Sequence, residues 1–144
     1  MFRKIIASMI GLTVVCFAMT VSVRADDQAA VEQAKKASDA WLKLVDEGNY
    51  QESWNDFASV VKPLVTEEKW AQEAAAVRQT VGPLVSRKFE SAKYSTSLPG
   101  APDGQYVIIL YDSSFAKKKS AVEQVVPMLD KDGQWRVSGY HFVK

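Results

Sequence analysis

The stretch DKDGQWRVSGYHFVK, Asp130–Lys144, decides how this chain is to be read. Asp130-Lys131-Asp132-Gly133 is a hairpin signal, because glycine accepts the positive φ that a tight turn imposes. The residues after it alternate with period two, so Gln134–Val143 reads as the last strand of a sheet. In a strand Trp135, Val137, Gly139, His141 and Val143 share one face. Gln134, Arg136, Ser138, Tyr140 and Phe142 share the other. The Trp face is the better core candidate, which points His141, the only histidine, toward the interior.

Working back from this strand, period two persists as far as Leu84. Ala121–Leu129 is a strand in which Pro127 implies an edge position or a bulge. Phe115–Lys119 is a basic turn, and Gln105–Tyr111 (QYVIILY) is the most apolar strand and therefore the central one. Ser97–Gly104 (SLPGAPDG) is a turn-rich connection. In Leu84–Thr96, Val85, Arg87, Phe89, Ser91 and Lys93 oppose Ser86, Lys88, Glu90 and Ala92.

Upstream the period becomes helical. Val31, Ala34, Ser38, Trp41, Leu42 and Val45 form one stripe, stopped by Gly48. Asn49, with Glu52 three residues on, caps a second helix over residues 50–61 that presents Tyr50, Trp54, Phe57 and Val61; Pro63 ends it. Thr66 opens a third helix, with Glu67 and Glu68 in the first turn, where the helix dipole favours negative charge. Trp70, Ala74 and Val77 form its stripe, and Gly82-Pro83 closes it. Helices first and antiparallel strands afterwards define an α+β domain: about three helices on a curved, cone-like, four-stranded antiparallel sheet.

The first 25 residues carry a different signal. Arg3 and Lys4 precede an apolar run from Ile5 to about Val23, and Val23-Arg24-Ala25 offers small residues where a signal peptidase reads. This is a secretory signal peptide, cleaved after Ala25, with residues 26–144 as one domain in the periplasm or outside the cell. The run nears the roughly 18 residues that can span a bilayer. The Val-x-Ala exit and the acidic Asp26 and Asp27 favour cleavage over a retained anchor, leaving no stable membrane span. Cleavage removes Arg3, Lys4 and Arg24, so Lys plus Arg falls from 18 to 15 against 17 acidic residues, a charge of about −2. That balance argues against nucleic acid as a partner. The only cysteine, Cys16, leaves with the signal, so the core must hold the fold without disulfides.

Several of these residues resemble a known family. Trp41-Leu42-x-Leu44-Val45-Asp46-x-Gly48-x-Tyr50-x-x-Ser53-Trp54, Gly104-Gln105-Tyr106-Val107, Glu123-x-Val125 and Asp132-Gly133-x-Trp135-Arg136-Val137-x-Gly139-Tyr140 are similar to the exported bacterial proteins grouped as domain of unknown function 4019. A helical hairpin followed by a sheet ending in this motif is also similar to the nuclear transport factor 2-like superfamily. That likeness implies a curved sheet around a helix and a conical pocket, and it implies no particular activity, since the fold hosts enzymes and binders alike.

Chemistry-bearing residues are few. A pocket His141 could serve as general acid or base; the more ordinary reading is a boundary histidine, and it takes precedence. Glu123, between Val122 and Val125, must face solvent, pair with a cation or incur desolvation. It is read first as an ion pair with Arg136, diagonal across the closing hairpin, and second as a base in the cone, with Tyr111 as hydrogen-bond donor. Trp41, Trp54, Trp70 and Trp135 could wall a ligand pocket or simply form the core. One His and no mature Cys exclude the usual zinc sets, and the Asp130 loop lacks the later ligands of a calcium loop. No metal or cofactor is expected. Ser59-x-x-Lys62 and Ser114-x-x-Lys117 lack the companion motifs of a serine nucleophile.

These features favour a non-enzymatic module that binds a small ligand or a periplasmic protein between helices and sheet. One alternative is a cone-pocket enzyme performing proton transfer or hydrolysis with His141, Glu123 and Tyr111. Another is a domain whose sheet face or edge pairs with a second chain.

Overall fold

The computed structural model describes residues 24–143; of the segment read as an export signal, residues 1–25, all but Arg24 and Ala25 lie outside the described residues. Three helices, α1 (Ala25–Asp46), α2 (Tyr50–Asn55) and α3 (Glu67–Val81), precede four strands. These are β1 (Leu84–Ser95), β2 (Tyr106–Phe115), β3 (Lys118–Leu129) and β4 (Trp135–Val143). Each strand pairs antiparallel with the next, in the order β1-β2-β3-β4. The α+β architecture expected from the switch of period is the one observed. Among the described residues no helix is long and apolar enough to cross a membrane.

The apolar stripe of α1 buries Ala34, Ser38, Trp41, Leu42 and Val45 against the sheet. Trp41 is almost wholly enclosed, and its Nε1 donates to the Ser53 carbonyl at 2.9 Å, so its polar edge is satisfied. Burial of an indole contributes roughly 4–6 kcal/mol of transfer free energy as an upper estimate. Trp41, Phe57 and Trp70 meet with ring centroids 5.0–5.6 Å apart, and Tyr140 of β4 meets Trp41 edge-on. Thr66 caps α3 as expected, its Oγ1 accepting from the Lys69 amide.

The second helix is shorter than its stripe predicts. It stops at Asn55 because the chain is drawn into the sheet: Phe57 bridges Val137, and the Ala58 amide donates to the Val137 carbonyl at 2.9 Å. The Ser59 amide and hydroxyl both donate to the Asp130 carboxylate. The Asn49 side chain makes no capping bond and turns instead to Glu47.

Two strands depart from simple alternation. In β1 the register shifts between Leu84 and Ser86 and again between Phe89 and Ser91. Arg87 and Phe89 therefore face the helices with their partners Ser113 and Tyr111, and beyond the second shift Ala92 and Tyr94 take over that face. In β4 the break follows from Pro127, which has no N–H to continue a ladder. Val126 pairs with Gly139 but Pro127 pairs with Val137, so Ser138 is one extra residue, and its hydroxyl donates to the Val126 carbonyl at 2.7 Å. This bulge reverses the faces. Val137 packs in the core as expected, but beyond the bulge Tyr140 packs there as well and His141 is exposed.

Candidate functional site

The helical side of the sheet carries a cluster of charge. Asp46 stands in the last turn of α1, where the helix dipole disfavours a carboxylate. Two guanidinium groups compensate it: Arg87 Nη1 lies 2.6 Å and Arg78 Nη1 2.8 Å from its oxygens. Arg87 also grips Glu123, through Nε at 2.7 Å and Nη2 at 3.1 Å. Glu123 is wholly buried, and the hydroxyls of Ser113 and Tyr140 donate to its two oxygens. Arg78 completes the ring by donating to the Tyr140 hydroxyl at 3.2 Å while lying over the Phe115 ring. Two cations and two anions cancel.

Burial alone would push the Glu123 carboxyl up, but the bonds and charge of Arg87, with Ser113 and Tyr140, bring it below its ordinary value. Burial likewise opposes the Arg87 charge, yet its contacts with Asp46 and Glu123 prevail and raise its pKa. Both Tyr140, buried beside Glu123, and Tyr111, buried with its hydroxyl on Asp39, are raised and stay protonated as donors. The arrangement holds charges in place and leaves none free to accept a substrate proton.

The three residues singled out for acid–base chemistry do not converge. Tyr111 lies directly opposite Glu123 across β2 and β3, but its hydroxyl donates to Asp39 Oδ1 at 2.6 Å. His141 pairs with Gln124, whereas Glu123 pairs with Phe142, so His141 and Glu123 stand on opposite faces. Glu123 is an ion pair, though not with Arg136. The hairpin register sets Arg136 opposite Met128, and its guanidinium turns to Asp132, 2.7 Å away. The tryptophans pack as core or half-core. Trp70 Nε1 donates to Ser53 Oγ and Trp54 Nε1 to the Val65 carbonyl, while Trp135 is half-buried near Ala37 and Ala40 of α1. Between α3 and β4 a recess of about 240 Å³ remains.

Sequence reading missed Asp46, Arg78 and Arg87 as a unit. One signal was available: an acidic residue closing a helix, where a cation is the favoured charge.

The opposite face of the sheet is different in kind. A groove of about 420 Å³ runs over Tyr106, Val126, Met128 and Gly139, between the loop bearing Leu64 and the loop bearing Leu98. The Tyr106 hydroxyl donates to the Pro102 carbonyl, so this wall is tied to the floor.

An open-sheet α+β domain, closed on its helical side over a neutralised charge cluster, is the class these observations define. The chain belongs to the family described as protein of unknown function (DUF4019), whose model matches residues 37–140. A solved structure from Catenulispora acidiphila is similar in fold at 12% identity and a TM-score of 0.56, covering 83% of this chain and 94% of that one. No curated protein matches the chain.

Proposed function

We propose that this chain is an exported, non-enzymatic binding module, and that its binding surface is the groove on the outer face of the sheet. The observation that carries the reading is the contrast between the two faces. On the helical side every candidate acid or base is held by a partner within the protein, while the outer groove is apolar and open. An acid–base enzyme needs its groups to converge on one cavity, and Glu123 and His141 face apart. A kinship with the nuclear transport factor 2-like superfamily belongs to the same proposal; helices followed by a bulged antiparallel sheet support it.

The test is native mass spectrometry of the protein purified from its own host. An adduct on the wild-type chain that is lost in Leu64→Asp is the expected result. Equal adducts on both, or none on either, would remove the groove from consideration. Export is checked separately: the N-terminal sequence of the protein from the periplasmic or culture fraction should begin at Asp26, and a chain retaining Met1 would refute it.

A further inference from the structure

Gly139 lies inside β4, although glycine weakens a strand relative to alanine. Its backbone does not require it, since the positive-φ glycines are Gly48, Gly82, Gly100 and Gly133. Packing does not require it either: an added Cβ would meet the Val126 side chain at 3.6 Å, an ordinary contact. What the missing side chain leaves is depth in the groove floor over Val126.

The walls point the same way. Leu64 is 83% exposed, an apolar side chain that gains contacts only when something covers it. Opposite stand Leu98 and Ala101. The polar atoms of the floor are already engaged, Tyr106 with the Pro102 carbonyl and Ser138 with the Val126 carbonyl. Among the described residues no Asp, Glu, Lys or Arg lines the groove, and the one imidazole, His141, is exposed to water. A charged group laid there would lose hydration without gaining a partner. The volume, about 420 Å³, falls in the small-molecule range of roughly 300–1,000 Å³.

We propose, on the footing that this groove is the binding surface, that its occupant is a single uncharged alkyl or acyl chain. The chain lies over Gly139 between Leu64 and Leu98, and Gly139 sets the depth to which it is admitted.

The test titrates the purified protein with 1-decanol below its solubility limit, and with decyltrimethylammonium and decyl sulfate below their micelle concentrations, by calorimetry and amide NMR. Decanol should saturate at one equivalent, shift the amides of Leu64, Val126 and Gly139, and bind at least tenfold more tightly than either charged homologue. Gly139→Val, which fills the floor, should weaken decanol at least tenfold while the circular dichroism spectrum is kept. Because Gly139→Val sits beside the bulge, Leu64→Asp provides a second variant on an exposed side chain, with the same loss expected. Decanol that fails to saturate, or binds both variants as it binds wild type, overturns the proposal. If charged homologues bind and both variants lose them, the groove stands as the binding surface but the uncharged occupant is wrong. Self-association by light scattering that both variants abolish overturns it in favour of a second copy. If neither binding nor self-association responds to the variants, the groove itself fails, and the proposed function with it.

Discussion

Arg87 on β1 donates through Nε to Glu123 on β3 at 2.7 Å, reaching over β2, the strand that separates them. The same guanidinium holds Asp46 at the end of α1. One side chain therefore ties an edge strand, an inner strand and a helix terminus. Such a group stabilises only as long as its partners remain, because the desolvation of each charge is offset by the others.

Truncating Glu123 should accordingly be severe. Glu123→Ala leaves Arg87 buried with half its partners, and a loss of about 3–5 kcal/mol is expected from urea unfolding. Replacing both Arg87 and Glu123 with methionine should cost less than the two single changes added together, since the pair is coupled. Additive losses would mean that the two residues do not act as a unit.

Acid should weaken the fold through the same carboxylate. The Glu123 pKa is depressed below its ordinary 4.5: burial works upward, but Arg87, Ser113 and Tyr140 outweigh it. A depressed folded-state pKa contributes stability that is full above the unfolded value and is lost as pH falls through the folded one. Asp130, held by the Ser59 hydroxyl and amide against the upward push of burial, has the same sign from its ordinary 3.8. Urea midpoints should stay level down to about pH 5 and fall below about 4.5, and Glu123→Gln should flatten that fall. An unchanged slope in the variant would remove Glu123 as the cause.

Gly82 and Gly48 should respond differently to alanine although both have φ of +77°. At Gly48 nothing lies within 4 Å of an added Cβ, so only the backbone strain of about 1 kcal/mol is expected. At Gly82 the Cβ would meet Lys117 and Ala116 at 3.1–3.2 Å, where the β2–β3 turn bonds back to α3. Gly82→Ala should therefore lower the thermal midpoint more than Gly48→Ala.

His141→Ala should leave stability within about 0.5 kcal/mol of wild type, the ordinary range for a surface change. A larger loss by denaturant unfolding would mean that the imidazole makes a contact its exposed position does not provide.

Much of the fold was legible because period and punctuation are local signals. The shift from helical to alternating spacing at Gly82-Pro83 marks where α3 gives way to β1, and Thr66 marks where α3 begins. Phe57 was misplaced in a helix because its distance from Trp54 and Val61 fits a helical stripe, while its bridge to Val137 depends on a strand 80 residues on. The charge cluster was illegible for a related reason. Arg78, Arg87 and Asp46 look like ordinary surface residues until the sheet brings them to Glu123. Pro127 did announce a bulge, but a proline does not say on which strand the additional residue falls or which side chains it turns around.

The extra Ser138, held out of the ladder, gives the chemistry of both compartments a common hinge. Drawing that one residue into the ladder, opposite Val126, would advance the downstream register by one, setting the imidazole inward opposite the buried carboxylate and expelling the phenol that now guards it. Loss of the bulge, with neither side chain replaced, would thus exchange a sealed interior for a titratable one.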